Sequence, residues 1–226
     1  MITRTLQFPI DHSLGKLLYR DNETNGEWLE FTQAIGTVSI RNNIALWLEI
    51  ARDSFDYLPA MPIINNDVIE VIDVTNAGLS DEYFFYFQRL SCLRGLAAGE
   101  TSLGDKALEY IGKLTTLEWL DIGDTKVTNK GLRFLSSLMY LKKLSLLDNK
   151  INEEGLNFLL SLPVLEHLDL MGTNVGDESS NILLQLQSLT SLRLYDTKIT
   201  EDTYYRIKKG LPNCKIMYKH YHYPED

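Results

Sequence analysis

A constant step of 24 residues separates Leu93, Leu117, Leu141, Leu165 and Leu189, and the residues around each leucine follow the same step. With these leucines as position 1, position 4 is Leu96, Leu120, Leu144, Leu168 and Leu192, and position 6 is Ala98, Ile122, Leu146, Leu170 and Leu194. Five copies without insertion or deletion leave the chain little choice. A unit this short cannot bury its apolar side alone, so successive units must stack into a solenoid. The frame extends back to Ile69, Ile72 and Val74 and forward to Ile216 and Tyr218.

Within a unit, positions 1, 4 and 6 have the spacing of a short strand whose leucines enter a core, while positions 3, 5 and 7 face the other way. Position 9 is Thr101, Thr125, Asn149, Thr173 and Thr197, small polar groups fit to bond the backbone of the turn leaving the strand. Position 11 returns to the core with Leu103, Val127, Ile151, Val175 and Ile199. Ser80, Thr128, Asn152 and Thr200 then read as helix N-caps, supported by acids such as Asp81, Glu153 and Glu201. A helical face follows at positions 16, 19 and 22, as in Leu132, Leu135 and Leu138. Each unit is thus predicted to be one strand, one turn and one helix.

The stretch Leu117 to Tyr140, LEWLDIGDTKVTNKGLRFLSSLMY, resembles a leucine-rich repeat, and its TKVT and GL elements resemble the 24-residue variety common in bacterial proteins. The resemblance covers residues 69 to about 218. It implies an α/β fold: a curved solenoid with a parallel β-sheet on the concave side and helices on the convex side. Residues 69–226 would then hold six units and a C-terminal capping strand, because Ile207 to Ile216 is similar to the way such arrays finish. Departures fall near the ends. Ile69 to Cys92 replaces leucines with Phe84 and Phe87, and Ser179-Ser180 stands where other copies have Gly-Leu, predicting a helix that starts late or packs loosely.

Residues 1–68 are out of frame and read as short strands at Thr3 to Phe8, Gly15 to Tyr19 and Glu27 to Thr32. In Gly36 to Ile50, two strand-like runs flank Arg41-Asn42-Asn43, which predicts a tight hairpin with Ile44, Leu46, Leu48 and Ile50 on one face. A solenoid end exposes an apolar cross-section, so this β-rich segment is expected to cap the array. The sharper alternative is a binding domain of its own displaying Trp28 and Trp47.

Function is expected at outward positions that carry no core duty. The resemblance places protein or peptide binding on the concave face, where Trp119, Asp121, Lys143, Leu147, His167, Asp169, Met171, Arg193 and Tyr195 are the candidate contacts. Tryptophan, tyrosine and arginine are the types that dominate interface hot spots. Glu100, Asp124 and Asp148 share position 8 and form an acidic stripe suited to a basic patch on the partner, or to a divalent cation. The alternative is that aspartate before threonine or asparagine bonds backbone in a tight turn.

The net charge of −9 argues against nucleic-acid and anionic-membrane partners. With no signal-peptide pattern and no long apolar run, a cytoplasmic protein is expected. Cys92 and Cys214 lie about five units apart, too far for a disulfide or a shared metal. His12, His167, His220 and His222 sit in no nucleophile or metal motif, and a His167 dyad with Asp121 or Asp169 lacks a nucleophile. A non-enzymatic, cofactor-free interaction module is therefore the reading, with a monomer favoured; self-assembly through the array is the alternative, which light scattering separates.

Overall fold

The computed structural model describes residues 3–11, 13–21, 27–41, 44–52, 54–60 and 68–219. Asn42, Asn43, Asn65, Asn66, His12, His220 and His222 lie outside them. Strands β6 (Ile69–Asp73), β7 (Gly95–Ala97), β8 (Trp119–Asp121), β9 (Lys143–Ser145), β10 (His167–Asp169), β11 (Ser191–Arg193) and β12 (Lys215–Met217) pair in parallel, each in register with the next at the same repeat position. Every position-1, -4 and -6 side chain from Leu93 to Leu194 is buried. With about 1.5–3 kcal/mol for each fully buried large aliphatic side chain, these rows are what hold the stack.

The convex layer is built from short helices, α1 (Phe84–Phe87), α2 (Asp105–Ile111), α3 (Asn129–Leu132), α4 (Glu153–Leu156), α5 (Ser180–Leu183) and α6 (Glu201–Gly210). Several tighten into a 3-10 turn, as α3 does over Arg133–Ser137. Thr128, Asn152 and Thr200 cap their helices by accepting from Lys130 N, Glu154 N and Thr203 N. Ser80 makes no such bond; the first unit opens on a 3-10 turn, Asp81–Tyr83, instead of an α-helix needing a cap.

Position 9 closes the turn within each unit. Thr101, Thr125, Thr173 and Thr197 donate to the carbonyls of Ala98, Ile122, Leu170 and Leu194. Position 13 ties units together, since Asp81 accepts from Gly104 N, Asp105 from Thr128 N, Asn129 from Asn152 N and Asp177 from Thr200 N. This linkage explains the glycine of the Gly-Leu pair. A Cβ at Gly131 or Gly155 would collide with the Asp105 or Asn129 oxygen that makes the bond. Glu153 makes no such bond among the described residues, so Ser179 replaces glycine without a collision, and that unit enters through a 3-10 turn, Asp177–Ser179, before α5. Position 2 adds charge alternation along the stack: Glu118 pairs with Arg94 at 2.6 Å and with Lys142 at 2.9 Å.

Upstream of the repeats, β1 (Thr3–Gln7), β2 (Gly15–Arg20), β3 (Leu29–Gln33), β4 (Thr37–Arg41) and β5 (Ala45–Ile50) are all strands. The expected hairpin between β4 and β5 does not form. β4 pairs antiparallel with β1 in a separate two-stranded sheet, whereas β5 pairs with β2 on one side and β6 on the other. Alternation within β5 is as read, with Ile44, Leu46, Leu48 and Ile50 buried. The result is one ten-stranded sheet that runs from β12 through β6 into β5, β2 and β3. Its far end is finished by Tyr218, stacked on Tyr204 at 4.5 Å and bonded to the Ile199 carbonyl.

Candidate functional site

The parallel register turns each outward position into a row across the strands. Position 3 gives Trp119, Lys143, His167, Ser191 and Lys215; position 5 gives Asp121, Ser145, Asp169, Arg193 and Met217. Together the first four of each row line a groove of about 450 Å³ on the concave face. Trp119, Asp121, Lys143, His167, Asp169 and Arg193 are therefore brought together. Leu147, Met171 and Tyr195, at position 7, form a half-buried row just beyond the lining residues.

Two of the acids have work inside the sheet. Asp121 Oδ1 accepts from Gly123 N at 3.0 Å, and Asp169 Oδ1 accepts from Met171 N at 3.0 Å, as Asp73 Oδ1 does from Thr75 N at 2.9 Å. These aspartates occur in alternate units, which keeps like charges two strands apart. Arg193 Nη1 lies 2.8 Å from Asp169 Oδ2, so its charge is matched locally. Lys143 and Lys215 have no ion pair among the described residues. His167 makes no hydrogen bond to Asp121 or Asp169 among the described residues, since Asp169 already spends both oxygens on Met171 and Arg193.

Trp119 is only half exposed, and its neighbour is unexpected. Trp47 occupies the same row on β5, three strands away, or about 14 Å at ordinary strand spacing. The two ring centroids are nevertheless 6.3 Å apart, so both indoles lean inward over Val71 and Gly95. A Cβ on Gly95 would occupy the Trp119 indole, and the neighbouring Val71 and Ala97 are buried. Trp28 packs edge-on against Trp47 at 5.7 Å, and the Arg20 guanidinium sits 4.6 Å above Trp28. The sequence held one signal for this contact: Gly95, Ala97 and Gly99 leave one unit without large side chains at positions 3, 5 and 7.

At position 8 Asp124 and Asp148 do something other than bond the turn. Asn76, Glu100, Asp124, Asp148 and Asp196 all have positive φ, between 49° and 55°, and Gly172 has φ 68°. Asparagine, aspartate and glycine are the types that enter this left-handed region most readily. The turn bonds come from positions 5 and 9, and among the described residues the Asp124 and Asp148 carboxylates bond no backbone. Register still aligns them. Burial, together with the charges of Asp124, Asp196 and Asp169, holds the Asp148 carboxyl above its ordinary range. Glycine follows at 172 because the Asp148 side chain fills the space a Cβ would need. No group of three or more His, Cys, Asp or Glu side chains poised for a metal occurs among the described residues.

A family model described as Leucine Rich repeat matches residues 113–136 and 161–179. Among solved structures, the chain is similar to internalin C2 of Listeria monocytogenes, with 22% identity, 75% of this chain and 69% of that one covered, and a TM-score of 0.59. It is also similar to a second internalin (inlF) of that organism, with 21% identity and a TM-score of 0.50 over 69% of this chain and 49% of that one. At these identities the likeness is one of fold. No curated protein matches the chain. No helix among the described residues is long and apolar enough to cross a membrane.

Proposed function

We propose that this leucine-rich repeat protein of the bacterial type is a non-enzymatic interaction module that binds a protein or peptide on its concave face. One observation carries the reading: the groove between Trp119 and Arg193 is open and lined by side chains that the core does not require. Aromatic, basic and acidic groups meet there within a few ångströms of one another, the mixture from which interface hot spots are drawn. Asp169, the acid nearest in kind to a partner for His167, is already engaged by Met171 N and Arg193, which supports a binding role for this surface.

Affinity capture with the wild-type chain and with Trp119→Ala combined with Tyr195→Ala tests the proposal. Partners retained by the wild type and lost by the double variant are expected. A partner list identical for both chains would sink the concave-face assignment.

A further inference from the structure

Four rows of different chemistry run side by side along the solenoid between β8 and β12. Position 3 is basic, with Lys143, His167 and Lys215; position 8 is acidic, with Asp124 and Asp148. Between them position 5 is mixed, with Asp121, Ser145 and the Asp169–Arg193 ion pair, and position 7 is apolar, with Leu147, Met171 and Tyr195. The basic and acidic rows lie five residues apart, which spans about 16–17 Å at an ordinary strand rise. An α-helix with its side chains is about 10–12 Å across, so a helix lying over positions 5 to 7 meets the acidic row directly and the basic row through the long lysine side chains.

Spacing separates a helix from an extended chain. Units repeat every 4.8 Å or so across the sheet, and a helix brings a new turn to one face about every 5.4 Å. An extended strand brings a new same-face side chain only every 6.6 Å or so and falls out of step within a few units. Five strands cover about 19 Å, the length of a helix of about 13 residues. The Trp47–Trp119 pair closes the trough at the β8 end, because the concave face beyond it is already buried.

We infer that the partner segment is an amphipathic α-helix of about 13 residues lying along the solenoid, with an apolar ridge, an acidic flank facing Lys143 and Lys215, and a basic flank facing Asp124 and Asp148. Turning such a helix end for end exchanges its flanks, so the two charged rows also fix its direction. This inference rests on the concave-face reading above.

Selection of random displayed peptides of about 16 residues, long enough for four helical turns, tests it against the full chain. Enriched peptides should show apolar residues at helical spacing with opposite charges on the two flanks. Lys143 is exposed, so Lys143→Glu keeps the fold, which circular dichroism checks. That variant should weaken the selected peptides about tenfold, and lysine in place of the acidic-flank residue should restore binding. Groove-sensitive peptides without helical periodicity, or with like charges on both flanks, overturn the helix and leave concave binding standing. Peptides indifferent to Lys143→Glu, or a selection that enriches nothing, count against both.

Discussion

The concave surfaces of β6–β7 and of β8–β11 are built on one frame and end up as opposite kinds of surface. Both bury leucine or isoleucine at position 4 with the same register to their neighbours. In the first region Val71, Gly95, Ala97 and Gly99 are buried on the outward side, and a pair of tryptophans that arrive from β5 and β8 meet there, with Trp119 seated on Gly95. In the second the same positions hold Lys143, His167, Ser145 and Arg193 and leave a groove. The frame therefore decides where the sheet runs, and the outward residues decide whether it is a surface or an interior.

That contrast can be broken in graded ways. Leu96→Ala and Leu168→Ala remove fully buried leucines from the two regions, and each should cost about 2–5 kcal/mol by chemical denaturation. Near-equal costs support a shared scaffold, and a large inequality would mean that one region is held by something else. Gly95→Val should cost about 1–3 kcal/mol and shift tryptophan emission, because Trp119 must leave its seat. Ser191→Val, in the same row on the open side, should stay within about 0.5 kcal/mol. A tolerated Gly95→Val with unchanged fluorescence would contradict the leaning-indole arrangement.

Thr128→Ala deletes both a helix cap and the hydroxyl that Asp105 accepts from, for an expected loss of about 1 kcal/mol in thermal or denaturant unfolding. Smallest is Asp148→Asn. The Asp148 pKa is raised in the folded chain, so its ionisation penalises folding above the unfolded value and the penalty disappears as pH falls below about 4. The variant should melt higher than wild type at pH 7, with a smaller advantage at pH 3. An advantage that grows toward low pH would reverse the assigned sign.

How much of this was legible before the structure follows from the range of each interaction. Repeat period, buried rows and caps at Thr128, Asn152 and Thr200 are local or periodic, and period alone carries them. The β4–β5 hairpin was misread because alternation shows which way a side chain points and never which strand lies beside it. Trp119 was legible as an outward aromatic, but its packing on Trp47 joins two segments with no common frame. Asp121 and Asp169 were legible as outward acids; their bonds to Gly123 N and Met171 N depend on turn geometry that only coordinates supply. The repeated Asn or Asp at position 8 was visible too, and at Asp124 and Asp148 its meaning was a backbone angle instead of a side-chain bond to the turn.

The central claim is that partners are engaged from the concave groove and not from the helical layer. A photo-crosslinking amino acid placed at Ser191 in the groove, and separately at Lys106 on the exposed side of α2, puts that to one comparison. The account predicts partner adducts from Ser191 that fall away when Lys143→Glu is added, with none from Lys106. Adducts formed from Lys106 alone, or from Ser191 with no response to Lys143→Glu, would contradict it.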